Sequence, residues 1–104
     1  MEIKDKRVVV TGAASGIGKA LCVAFKDSGA KSIVCVDMNT EGAIETAELV
    51  KGIAVSADVS KESDIINVID KANDLSGGID IFCSNAGIGG NPGFFESDLS
   101  LIHI

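Results

Sequence analysis

Hydrophobic positions along this chain follow two alternating patterns: short runs of consecutive apolar residues, and longer stretches in which apolar residues return every three or four positions. Arg7-Val8-Val9-Val10-Thr11 is the first run and ends at a glycine. Unbroken β-branched residues suit a strand covered on both faces. From Ser15 onward Ile17, Leu21, Ala24 and Phe25 keep helical spacing, with Ser15 placed to cap the helix and Gly29 to stop it. Ser32-Ile33-Val34-Cys35-Val36-Asp37 is a second strand ending in a single acid, after which Asn39 or Thr40 caps a helix carrying Ala43, Ile44, Ala47 and Val50 inward. Ile53-Ala54-Val55-Ser56-Ala57 reads as a third strand. Beyond Asp58 and Val59, Ser60 caps a helix with Ile65, Ile69 and Ala72 in one stripe and Ile66 beside it, and Gly77-Gly78 stops it. Ile79-Asp80-Ile81-Phe82-Cys83-Ser84 is the fourth strand.

Strands joined by helices of this length predict right-handed crossovers and a parallel sheet, since antiparallel neighbours need only short turns. The fold class expected is α/β, a Rossmann-like doubly wound sheet in partial form. Past Ser84 comes a glycine-rich loop, Asn85-Ala86-Gly87-Ile88-Gly89-Gly90-Asn91-Pro92-Gly93, then Phe94 and Phe95, read as packing that loop onto the sheet. No internal repeat or low-complexity linker divides the chain, so residues 1–104 are taken as one domain.

Composition narrows the classes. Hydrophobic residues make up 46% of the chain and mean hydropathy is positive, which supports a packed core. Fifteen acidic against nine basic side chains give a net charge of -6, which repels phosphate backbones and anionic headgroups. Nucleic acid and membrane are therefore excluded as expected partners. The charged start, Met1 to Arg7, lacks the pattern of a secretory signal, and no run has the length of a membrane span. Cys22, Cys35 and Cys83 form an odd set without metal-ligand spacing. They read as buried thiols of a protein in the reducing cytosol.

The chemistry-bearing segment is Thr11-Gly12-Ala13-Ala14-Ser15-Gly16-Ile17-Gly18, between the first strand and the first helix. Free N–H groups and the helix dipole there suit a pyrophosphate. Gly12 permits the tight turn, Gly16 lets the backbone approach the phosphates, and Gly18 allows the helix to pack closely. Asp37, nineteen residues beyond Gly18 at the end of the second strand, is placed to accept hydrogen bonds from an adenosine ribose. Its charge disfavours the extra phosphate of NADP, and no basic residue follows it closely, so NAD is the cofactor expected. His103 reads as a residue near a frayed end, with no partner acid.

The segment from Thr11 to Gly18 resembles the short-chain dehydrogenase/reductase family, whose motif is Thr-Gly-x-x-x-Gly-x-Gly. Asp58-Val59 is similar to the family's Asp and small apolar residue that meet the adenine ring, and Asn85-Ala86-Gly87 to its sheet-steadying Asn-Ala-Gly element near the cofactor. The expected cofactor-binding set is Gly12, Ser15, Gly16, Ile17, Gly18, Asp37, Met38, Asp58, Val59, Asn85, Ala86 and Gly87. No catalytic residue is expected here. The family uses a Tyr acid/base, a Lys four residues later, a Ser and an upstream Asn, and this chain contains no tyrosine. Ser84 and Ser97 lie before the segment that supplies the family's catalytic residues, and the stretch from Asp98 to Ile104 resembles the opening of the helix that carries the Asn.

The resemblance also implies strand order 3-2-1-4, with the fourth strand as an open, apolar edge at Ile79, Ile81 and Phe82. Such an edge invites self-association or a complementing segment. Two functions follow: the NAD-binding portion of a dehydrogenase that transfers hydride between an alcohol and a carbonyl, or a non-catalytic regulator that binds nucleotide or a partner.

Overall fold

The fold was analysed in a computed structural model, which describes residues 2–85 and the pair Gly93–Phe94. The chain runs β1 (Arg7–Thr11), α1 (Gly16–Asp27), β2 (Ser32–Asp37), α2 (Thr40–Val50), β3 (Ile53–Ser56), α3 (Glu62–Ser76), β4 (Ile81–Ser84) and β5 (Gly93–Phe94). The first four strands are parallel in the order β3-β2-β1-β4. This is the doubly wound α/β sheet that the alternating pattern predicts.

Direction of travel places the helices. The chain steps outward from β1 to β2 to β3 through α1 and α2, which pack against each other. It then crosses back through α3 to β4 on the far side of β1. With right-handed crossovers throughout, that reversal puts α3 on the opposite face of the sheet. Val8, Val9 and Val10 are all buried, as consecutive strand residues are only when both faces are covered.

Several helix details depart from the expected stripes. In α1 the inward residues are Gly18, Cys22 and Phe25, while Ile17 and Ala24 are exposed. In α2, Asn39 is the cap, its carboxamide oxygen accepting from Gly42 N–H at 3.0 Å. Ala43, Ala47 and Val50 point inward as expected, but Ile44 lies on the solvent side and Thr46 takes an inward place. Before α3 the cap position is Lys61, without a side-chain bond, because Ser60 bonds instead to Asp58. Its buried stripe is Val68 and Ala72, with Ile65 and Ile69 half-buried and Ile66 exposed. Gly77 closes the helix in the left-handed conformation, φ 79°.

The fourth strand starts at Ile81 rather than Ile79, and its outer edge is partly occupied. β5 pairs with it antiparallel, Cys83 opposite Phe94 and Ser84 opposite Gly93. Ile79, Ile81 and Phe82 are buried, so the expected exposed apolar edge is corrected to an edge whose side chains are covered. Among the described residues the backbone edge at Ile81 and Phe82 has no strand beyond it. Among the same residues, no helix is long and apolar enough to cross a membrane.

Candidate functional site

The C-terminal ends of β1, β2 and β4 converge on the glycine loop. Gly12 turns the chain with φ 65°, and a Cβ there would lie 2.8 Å from the Asn85 carbonyl oxygen. A Cβ on Gly18 would run into the Gly12 carbonyl, so the first turn of α1 rests directly on the loop backbone. Gly16 differs from both: among the described residues a Cβ there would meet nothing within 4 Å. Bulk at position 16 would press on none of them.

Ser15 caps α1, and its hydroxyl is fully used. It donates to the Gly12 carbonyl at 2.7 Å and accepts from Gly18 N–H at 3.1 Å and the Asn85 amide at 3.2 Å. The same Asn85 amide reaches Gly12 O at 3.4 Å, and Asn85 N–H donates to Thr11 Oγ1 at 2.9 Å. Asn85 thereby ties the end of β4 to the loop. The loop bonds leave the N–H groups of Gly16 and Ile17 with no acceptor among the described residues. No acid stands in the first turn of α1, whereas α2 and α3 carry Glu41 and Glu62 with Asp64 in theirs. The positive end of the α1 dipole is thus left uncompensated by acids of its own first turn, an arrangement that favours an anion.

Asp37 sits beside this opening. One carboxylate oxygen accepts Ala14 N–H at 2.9 Å and the other accepts Asn39 N–H at 2.9 Å. Each oxygen keeps a lone pair for a further donor. Met38, next in sequence, is 66% exposed, and Ile17 in the first turn of α1 is 57% exposed. Ala57 N–H bonds to the Asp37 carbonyl at 3.2 Å and so carries the chain after β3 to this end of the sheet. There the Asp58 carboxylate accepts from the Ser60 hydroxyl and N–H, which hold its pKa below the ordinary range. Val59 is half-buried and packs on the core. Ala86 and Gly87 lie outside the described residues.

Thr46 escaped the sequence reading. Buried at 1% exposure, it donates its hydroxyl to the Ala13 carbonyl at 2.9 Å. A polar residue standing in the apolar stripe of Ala43, Ala47 and Val50 was the available signal.

The sequence profile described as short chain dehydrogenase matches residues 6–102. The chain belongs to that family. An uncharacterized oxidoreductase of Bacillus subtilis is 37% identical to this short-chain dehydrogenase chain over 105 aligned residues, covering 94% of the chain but 15% of the relative. The 3-ketoacyl-(acyl-carrier-protein) reductase of Brucella melitensis, solved in complex with NADH, superposes with a TM-score of 0.78 at 36% identity. That match covers 83% of the chain and 36% of the reductase. A short chain dehydrogenase/reductase of Burkholderia phymatum in complex with NAD gives 0.80 at 27% identity, over 85% of the chain and 33% of that protein. The chain therefore spans about a third or less of the length of these short-chain dehydrogenase relatives.

Proposed function

We propose that this chain is the NAD(H)-binding portion of a short-chain dehydrogenase that interconverts an alcohol and a carbonyl. The observation that carries the reading is the pairing of the open approach at Gly16 with the Asp37 carboxylate bound to the same loop through Ala14. The residues fit the cofactor. The N–H groups of Gly16 and Ile17 are available for the pyrophosphate, and the remaining lone pairs of Asp37 for the adenosine ribose. Asp58 and Val59 are assigned to the adenine side, and Met38 and Ile17 to apolar contact. Bound NAD supplies the hydride acceptor, and this chain's residues bind and orient it.

With no tyrosine among the 104 residues, the activity expected of the chain by itself is binding without turnover. Its expected partner is a complementing segment or a second copy along β4, supported by the backbone at Ile81 and Phe82 having no outer strand among the described residues. The cytosolic placement rests on three buried free thiols, Cys22, Cys35 and Cys83, as a reducing compartment would keep them.

The test is a calorimetric titration of the chain with NAD, paired with thermal unfolding. NAD is expected to bind and raise the midpoint. Gly16→Val is expected to fold like the parent, since none of the described residues lies within 4 Å of a Cβ there, and to lose that binding. Absence of NAD binding by the parent chain, or equal binding by Gly16→Val, would overturn the reading.

A further inference from the structure

The glycine loop is held from two sides. On the sheet side stand Thr11, Asn85 and the end of β2; on the other stands α2, which belongs to the next crossover. Threonine inside a helix commonly turns its hydroxyl back to the carbonyl four residues earlier. Thr46 instead reaches out of α2 to the Ala13 carbonyl at 2.9 Å. Ala13 N–H bonds to Val36 O at 3.0 Å, so both polar backbone groups of Ala13 are fixed, one to β2 and one to α2. One turn earlier in α2, Gly42 has no space for a side chain: a Cβ there would lie 2.5 Å from Ala14 Cβ. Ala14 in turn donates its N–H to Asp37.

We propose that Thr46 is a positioning residue for the dinucleotide, holding Ala13 and Ala14 so that Ala14 N–H meets Asp37 and the Gly16 and Ile17 N–H groups stay aimed at the pyrophosphate. The inference rests on the nucleotide-binding reading above and extends it to a helix that bears none of the motif. Thr46 is buried and acts only through the loop. Removing its hydroxyl strands the Ala13 carbonyl in the interior, and the loop must move to recover a partner. Gly42 is the steric half of the same support. Its lack of a side chain lets α2 approach Ala14 closely.

Three variants of the 104-residue chain test this, each followed by NAD calorimetry, urea unfolding and hydrogen exchange of the Ala14 amide without nucleotide. Thr46→Val, equal in shape but without the donor, is expected to weaken NAD binding about tenfold, with faster Ala14 exchange, at a temperature where the protein is fully folded. Thr46→Ser keeps the hydroxyl and is expected to stay within about twofold of the parent in both. Gly42→Ala presses a methyl group on Ala14, so it is expected to lose affinity severalfold and to lower stability in urea, the gain in helix propensity offsetting only part of the clash. Parent-like NAD affinity in Thr46→Val, or a Thr46→Ser as weak as Thr46→Val, overturns the proposal. Should Thr46→Val fail to fold, unchanged affinity in Gly42→Ala overturns it. If the parent binds no NAD, the proposed function falls, and Ala14 exchange decides the support alone: rates unchanged in Thr46→Val contradict it.

Discussion

β1 and β4 are tied together at both ends, by opposite means. At their N-terminal end Arg7 grips Asp80 through its backbone N–H, Nε and Nη2, while Nη1 bonds to the Gly77 carbonyl at 2.7 Å. Charge is matched by charge. At the C-terminal end the tie is neutral, from Thr11 through Asn85 to Ser15, and the N–H groups of Gly16 and Ile17 find no acceptor among the described residues. One end closes on itself and stabilises; the other keeps donors and a helix dipole free for a ligand. The proposed cofactor site is at the end where the hydrogen bonding among the described residues is incomplete.

The glycines separate the two requirements most sharply within the loop. Gly18→Ala drives a methyl group into the Gly12 carbonyl and is expected to lower stability by about 2–4 kcal/mol in urea unfolding. Asn85→Ala removes the amide that bridges Gly12 and Ser15, with a loss of about 2 kcal/mol and weaker NAD binding as the loop loosens. At the other end Asp80→Asn is expected to cost about 1 kcal/mol, the pair being partly solvated, and to leave NAD affinity unchanged. Smallest of all, Gly16→Ala is expected to shift stability by less than about 0.5 kcal/mol, because none of the described residues lies within 4 Å of the added carbon, while still weakening NAD binding.

The ion pair also gives the N-terminal end a pH signature. Hydrogen bonding from Arg7 holds the Asp80 carboxyl down at about 2, against an ordinary value of about 4. Between those values the unfolded chain binds the proton and the folded chain does not, so stability rises with pH. The contribution of Asp80 is present above about pH 4 and is lost as pH falls toward 2. Unfolding of Asp80→Asn measured across that window is expected to lack this part of the slope.

Much of this architecture was legible in the amino-acid order. Consecutive Val8, Val9 and Val10 signalled a strand covered on two faces, and the spacing from Gly12 to Gly18 to Asp37 signalled where β1, α1 and β2 would meet. Helix faces were less legible where small residues blur the stripe. Cys22 rather than Ala24 turned inward in α1, and Val68, three residues after Ile65 and four before Ala72, is the most buried member of the α3 stripe although the isoleucines around it stood out more in the sequence. Ser60 looked like a cap, but Asp58 is near enough to take its hydroxyl at 2.6 Å, a local competition that spacing does not resolve. Thr46 and the Arg7–Asp80 pair join residues 33 and 73 positions apart, so only the folded arrangement brings them together. β5 depends on a return of the chain after the fourth strand that alternation of strands and helices does not predict.

The ratio of NAD to NADP affinity in the parent chain and in Asp37→Ala tests most directly whether Asp37 selects the cofactor. The parent is expected to prefer NAD by at least about tenfold, from ribose hydrogen bonding and repulsion of the extra phosphate, and the preference to collapse toward unity in the variant. Equal binding of the two cofactors by the parent, or an undiminished preference without the Asp37 carboxylate, would contradict it.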